Sequence, residues 1–362
     1  MSFSVEEYRQ QAKRLGRSPE LIAATIGYAE KLIGKGLPVI FSAKHLCSIL
    51  EILPRDFDYL LDNRQDLYRF YQIRKRRGGN RQIVVPYAKI RKMQHFIQQE
   101  ILIHIPVDTH AFGYVKGRSI RHNAEQHVGA DAIMNIDIAK FFDCITEKRV
   151  FGIFKSLGYV ANLALDLARI VTVPLSEEYL EAFGGDLYWY HGLIKEGSAV
   201  LPQGAPTSPI LSNLVLRLLD RRLSGYCEAN QLRYSRYADD MTISGAFEKL
   251  PKLGFLEKII AEEGFRINYA KVTTYKKGVR QMVTGLTVSN GVHIHRSFKK
   301  EVKKHLYCCK KFGVEAHLIA LGMEEKQLYK EWLLGKIYYI RSIEKEASEK
   351  FLEWFSQIDW PS

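Results

Sequence analysis

The chain has 362 residues, 46% of them hydrophobic, and carries 53 Lys and Arg against 40 Asp and Glu, a formal charge of +13. That length and apolar content suffice for a buried core with two or three subdomains, which excludes a disordered or fibrous chain. A pI near 9.3 favours a polyanionic partner, and no apolar run approaches the ~20 residues of a membrane span.

Residues 1–60 read as helices. Glu20–Ile33 has apolar residues at helical spacing and stops near Gly34, and a second helix starts after Pro38 with Ser42 as N-cap. From Gln72 to Met93 there are eight Lys or Arg and no acid, and Arg74–Pro86 within this run predicts a hairpin turning at Gly78-Gly79-Asn80. Ala132–Ile138 is an apolar run of strand length with Asp137 near its end. Burying that acid is costly unless it is paired or ligates a metal; the plainer alternative is a strand end in solvent with Asp137 capping the next helix. The Gly-rich, Tyr- and Trp-bearing stretch from Ser176 to Val200 is expected to be a surface hairpin insertion. Pro202 and Gly204 then punctuate a loop before the helical run Ile210–Leu216.

Leu232–Gly245 predicts strand, tight turn and strand, with Asp239 and Asp240 held at the turn. Two like charges ~4 Å apart repel by about 4 kcal/mol at an effective dielectric near 20, so a cation is expected beside them. An isolated Asp-Asp pair is more often an exposed turn; here the aromatic and β-branched flanks argue otherwise. Brought beside this hairpin, Asp137 makes a third carboxylate. Three converging carboxylates suit a hard divalent cation, Mg²⁺ above all, and a pair of such ions about 3.5–4 Å apart points to nucleotidyl transfer.

Further on, Phe298–Tyr307 places Phe298, Val302 and Leu306 at helical spacing with lysines opposite. From Gly291 to Phe312 seven Lys or Arg stand against one Glu, a face able to run along a nucleic-acid backbone. A last helix, Tyr329–Ile343, carries Lys336, Tyr338, Tyr339 and Arg341, the tyrosines being either base-stacking or core residues. Cys47, Cys144, Cys227, Cys308 and Cys309 are odd in number and lack zinc-type spacing. With no signal peptide in Met1–Glu7, reduced thiols and a cytoplasmic location are expected.

Several segments, in order, resemble the motifs of reverse transcriptases. Asn135–Phe142 resembles the first palm motif, Leu201–Pro209 the second, Tyr237–Asp240 the third and Gly264–Lys271 the fourth. Gln281–Val288 lies where such enzymes hold the primer end. The resemblance implies an α+β right-hand polymerase: an N-terminal helical region (1–60), fingers (61–130), an antiparallel-sheet palm (131–285, with the insertion at about 176–200) and a helical, RNA-binding thumb (286–362). It implies Asp137, Asp239 and Asp240 as catalytic acids, which with the Ile138 backbone would hold two Mg²⁺ ions. Substrate-binding residues would be Arg81 with Lys75 or Arg74 on the triphosphate, Gln203 and Gly204 beside the incoming nucleotide, and Tyr237. Phe142 would be the gate against a ribose 2′-hydroxyl, with Phe141 as the core phenylalanine. Lys271 is a candidate general acid for pyrophosphate, or else a lysine on a solvent face.

Two further segments narrow the likeness. Asn123-Ala124-Glu125-Gln126-His127 matches the Asn-Ala-x-x-His signature of retron reverse transcriptases, and Val283-Thr284-Gly285 matches their second signature. A polar helix face and a strand-end turn would explain each alone but not both together. Ala111–Ser119 resembles a loop shared with group II intron enzymes, in which Gly117 would supply a special backbone angle and Arg118 a template-phosphate contact.

A retron-type enzyme copies a cognate noncoding RNA from an internal guanosine 2′-hydroxyl, using dNTPs, and yields a branched RNA–DNA product (msDNA). The resemblance further implies anti-phage defence, a separate effector protein and no membrane partner. The rivals are a group II intron-like or other bacterial reverse transcriptase and a non-catalytic RNA-binding scaffold of an antitoxin-like complex. The three acids argue against the scaffold.

Overall fold

A computed structural model describes residues 3–74, 80–175, 198–323 and 327–361. The chain divides into two compact units, one formed by Met1–Tyr114, Ile138–Arg222 and Gly254–Ile267, the other by Val115–Asp137, Leu223–Leu253 and Asn268–Ser362.

The first unit opens with helices that start behind serine N-caps. Pro19–Ile33 starts behind Ser18, whose hydroxyl accepts the Leu21 N–H, and buries Ile22, Ile26, Ala29 and Leu32 on one stripe. Ala43–Leu50 starts behind Ser42, which accepts the His45 N–H. Strands β1 (Tyr68–Arg74) and β2 (Asn80–Pro86) then pair antiparallel, from Tyr68 opposite Pro86 to Arg74 opposite Asn80. This is the expected basic hairpin; its tip, with Lys75, lies outside the described residues. So does most of the 176–200 insertion. Its last residues, Ala199–Val200, pair with Val173–Pro174. Helices Glu147–Leu157 and Ala161–Val171 bury Phe154 and Leu167 in the same unit.

The second unit holds a four-stranded antiparallel sheet: β3 (Ala132–Asp137), β4 (Arg233–Tyr237), β5 (Asp240–Gly245) and β6 (Thr273–Lys276), in the order β4-β5-β3-β6. Side chains alternate along each strand, so the register sorts the residues by face. Met134 and Ile136 stand with Ile243, Met241, Tyr234 and Arg236 on one face. The other face carries Asp137 beside Asp240 and Tyr237, then Asn135 beside Thr242 and Ser235, then Ile133 beside Ser244 and Arg233.

A smaller sheet of β7 (Met282–Val283), β8 (Leu286–Thr287) and β9 (His293–Ile294) follows. Helices Arg296–Phe312 and Tyr329–Ile343 bury Val302, Leu306, Leu333, Ile337 and Ile340 in one core with Ile133, Val283 and Leu286. The lysines Lys300, Lys303, Lys304, Lys310 and Lys311 are left exposed, as the spacing predicts. Among the described residues no helix is long and apolar enough to cross a membrane.

Candidate active site

Asp137 ends β3 with 3% of its surface exposed, and it is not left there as a bare charge. Lys271 donates from Nζ to Oδ2 at 2.6 Å, and Asn268 donates from Nδ2 to Oδ1 at 3.0 Å. The Asn268 backbone N–H also donates to the Asp137 carbonyl at 2.8 Å, fixing the strand end that presents the carboxylate. The alternative of a helix cap in solvent is therefore not what Asp137 does. Lys271 sits in the short turn Tyr269–Lys271, and its ammonium is engaged with Asp137 although its side chain remains half open to water.

Asp240 is the first residue of β5 and lies directly across from Asp137 on β3 and Tyr237 on β4. The turn between Tyr237 and Asp240 is tight because Ala238 takes the left-handed conformation, φ +57°. That costs an alanine about 1–2 kcal/mol. Arg236, with no exposed surface, holds the turn by donating from Nη1 to the Ala238 carbonyl at 2.9 Å.

The electrostatics register the crowding of acids. The Asp240 carboxyl is pushed up to about 7, by loss of water and by the charges of Asp239 and Asp137, with a hydrogen bond to Asp137 adding to it and Lys271 opposing it. The residue is nevertheless exposed at the surface, so repulsion between the acids is the cause that survives solvent screening. For Lys271, dehydration works downward, but the hydrogen bond to Asp137 and the charges of all three acids outweigh it and raise its pKa.

Among the described residues no three acid, His or Cys side chains form a ready-made cation cage. The oxygens of Asp137 are instead satisfied by Lys271 and Asn268. The donor set still fits a hard divalent cation: it is all oxygen, its negative charges repel, and one ammonium already offsets them.

Of the other expected site residues, Arg81, Gln203, Gly204, Phe142 and Ile138 belong to the first unit, and Tyr237 and Gly117 to the second. Arg81 is exposed as the second residue of β2. Gln203 accepts the Val84 N–H at 2.9 Å through its backbone carbonyl. Gly204 has φ +140°, and a Cβ there would come within 2.9 Å of the Val84 carbonyl oxygen. A glycine is thus demanded by the approach to β2, a reason the sequence does not disclose. Phe141 is buried against Phe265, as expected of a core residue, while Phe142 is half-buried. Ile138 pairs with Ile267. Gly117 has φ +79°, the special backbone angle anticipated for it.

Both signatures fall in the second unit. Asn123 and Ala124 lie buried in the helix Ile120–Glu125, followed by the fully buried His127. Val283 ends β7, and Thr284 (φ +45°) and Gly285 (φ +82°) form the turn into β8. The Thr284 hydroxyl donates to the Ile120 carbonyl at 3.4 Å, which links the second signature to the start of the helix that carries the first.

Sequence reasoning missed Arg236 and Asn268. For Arg236 a signal existed, since strand alternation puts an arginine on the apolar face of the hairpin. Asn268 had none, because its partner is 131 positions away.

A family profile described as reverse transcriptase (RNA-dependent DNA polymerase) matches residues 73–288. The Retron Ec86 reverse transcriptase of Escherichia coli is 30% identical over 337 residues, covering 91% of this chain and 93% of the relative. The Retron Mx65 reverse transcriptase of Myxococcus xanthus is 33% identical over 288 residues, 78% of this chain but only 63% of that longer protein. The Retron Ec83 reverse transcriptase of Escherichia coli is 30% identical over 69% of this chain and 77% of its own length. On these matches the chain belongs to the reverse transcriptase family, to its retron type, and to the α+β right-hand polymerase fold class that goes with it.

Proposed function

We propose that this chain is the RNA-directed DNA polymerase of a retron, copying a cognate structured noncoding RNA from an internal guanosine 2′-hydroxyl to give branched RNA-linked DNA. The observation that carries the reading is the cross-strand pair Asp137–Asp240, with Asp239 beside it and Lys271 offsetting their charge.

Asp137, Asp239 and Asp240 would hold two Mg²⁺ ions, with the Ile138 carbonyl as a further donor. When bound, such ions activate the attacking hydroxyl and neutralise the leaving pyrophosphate. The protein's own part is to present the carboxylates at fixed separation and to keep Lys271 within reach of a proton-accepting leaving group. Arg81 and Lys75 are assigned to the dNTP triphosphate and Gln203 and Gly204 to the incoming nucleotide, with Tyr237 as a further substrate-binding residue. Phe142 is assigned to exclusion of a 2′-hydroxyl.

In this reading residues 61–130 are fingers, 131–285 palm and 286–362 the RNA-binding thumb, whose exposed lysines grip phosphate. The location is the cytoplasm, in keeping with the five free cysteines. A separate effector protein and a role in anti-phage defence complete the proposal.

Nucleic acid co-purifying with the expressed chain tests it. Branched RNA-linked DNA is expected from the natural chain. Asp239→Asn should give no DNA, a loss of at least about 100-fold, while RNA still co-purifies, because the substitution removes a carboxylate and leaves the basic surfaces intact. DNA made at a normal level by Asp239→Asn would refute the assignment. A spliced intron RNA in place of the branched product would favour the group II intron-like alternative.

A further inference from the structure

The chemistry above leaves the two signatures without a task, yet they are built into the sheet face that carries the acids. His127 has no exposed surface, and both of its ring nitrogens are engaged: Nδ1 lies 2.7 Å from the Ser244 hydroxyl and Nε2 2.7 Å from that of Ser235. Ser235 is on β4, two residues before Tyr237, and Ser244 is on β5, four after Asp240. Ser235 faces Thr242 across the ladder and Ser244 faces Arg233, so the ring spans two successive rungs on the face shared with Asp137 and Asp240.

A second line of bonds crosses the same face. Thr242 donates to Asn135 Oδ1 at 3.0 Å, and Asn135 donates from Nδ2 to the Met282 carbonyl at 2.8 Å, one residue before the second signature. Burial, reinforced by the charge of Arg233, pushes the His127 imidazole down to about 3. It is therefore neutral, with one nitrogen donating to a serine and the other accepting from one.

This cover does not look selected for stability. The carboxamide of Asn123, 1% exposed, has neither its nitrogen nor its oxygen hydrogen-bonded. Each such buried group costs about 1–3 kcal/mol. Thr284, a β-branched residue, is held at φ +45°. Unpaired and strained groups that persist together point to placement for function.

We infer that His127 is a positioning residue for polymerisation: its ring ties β4 to β5 and so sets where the hairpin presents Asp239 and Asp240 relative to Asp137. The inference rests on the reading of those acids as the metal-holding centre.

The full-length chain tests it through His127→Ala, His127→Gln and the pair Ser235→Ala/Ser244→Ala. Two readouts are taken well below each variant's melting midpoint: the Mn²⁺ dissociation constant from the free-ion resonance, and single-nucleotide extension of a DNA primer on an RNA template, normalised to active sites. For His127→Ala a weakening of Mn²⁺ binding by about tenfold and a fall in kcat of about 10- to 100-fold are expected, the scale of an ångström-sized misplacement, with the KM for dNTP little changed. His127→Gln keeps a donor and an acceptor and should recover part of both. The serine pair should match His127→Ala, and combining them should add nothing.

Wild-type Mn²⁺ affinity and kcat in these variants, with only a lower melting point, would overturn the inference. Should His127→Ala fail to fold, His127→Gln and the serine pair decide by the same readouts. If the natural chain shows no Mn²⁺ binding that Asp239→Asn abolishes, the metal reading fails, and the inference with it.

Discussion

Asp240 shows how a single residue records the company it keeps. Its folded-state pKa, about 7, lies above the value near 3.9 expected in the unfolded chain. The folded state therefore binds the proton more tightly, and the stability this group contributes is present at low pH and declines as pH rises from about 4 through about 7. In chelator, urea midpoints should fall across that window, and Asp240→Asn should flatten the decline. Because the side chain meets solvent, the effect should not exceed about 1 kcal/mol. Identical slopes in the two proteins would show that repulsion among the acids is not felt. The neighbouring Asp137 is hydrogen-bonded directly by Lys271 and Asn268.

At the scale of elements, the loop after Leu201 is shaped by β2. The Gln203 carbonyl accepts the Val84 N–H, and Gly204 lies where any side chain would strike the Val84 backbone. Gly204→Ala should thus destabilise by about 1–3 kcal/mol through backbone clash and strain, read as a lowered urea midpoint, and should raise the KM for dNTP. An unchanged midpoint would mean that the loop moves aside without cost. The loop, the helix after it and the glycine were all legible, because proline and glycine punctuate sequence plainly. The reason for the glycine was not, since it depends on a strand about 120 residues earlier, at Val84. The hairpin of Asp239 and Asp240 was legible for its strands and acids. Its left-handed Ala238 was not, because alanine carries no turn signal and Arg236 acts through a buried contact. The helix start at Ala43 was legible from Ser42, whose bond is local. The link from the second signature to the helix of the first was not, since Thr284 and Ile120 are 164 positions apart.

Across the whole molecule, the net charge of +13 sets the behaviour toward RNA. Each lysine that contacts phosphate releases condensed counterions, so log K should fall steeply and linearly with log salt. Lys300, Lys303 and Lys304 are exposed on the helix Arg296–Phe312, whose apolar stripe is committed to the core. Changing all three to Gln should reduce the magnitude of that slope by about 2–3 if each contacts a phosphate. Filter binding of the cognate RNA across a salt series would measure it, and an unaltered slope would assign these lysines to solubility alone. The basic stretches were visible in the sequence, but which lysines are tied up was not: Lys299, for example, is bonded to Glu344.

The bond between Val84 and Gln203 has a mechanical corollary. It anchors the base of the basic hairpin to the loop carrying Gln203. A proline at Val84, which deletes the tethering N–H, should disturb the nucleotide loop even though no nucleotide-contacting side chain has been changed.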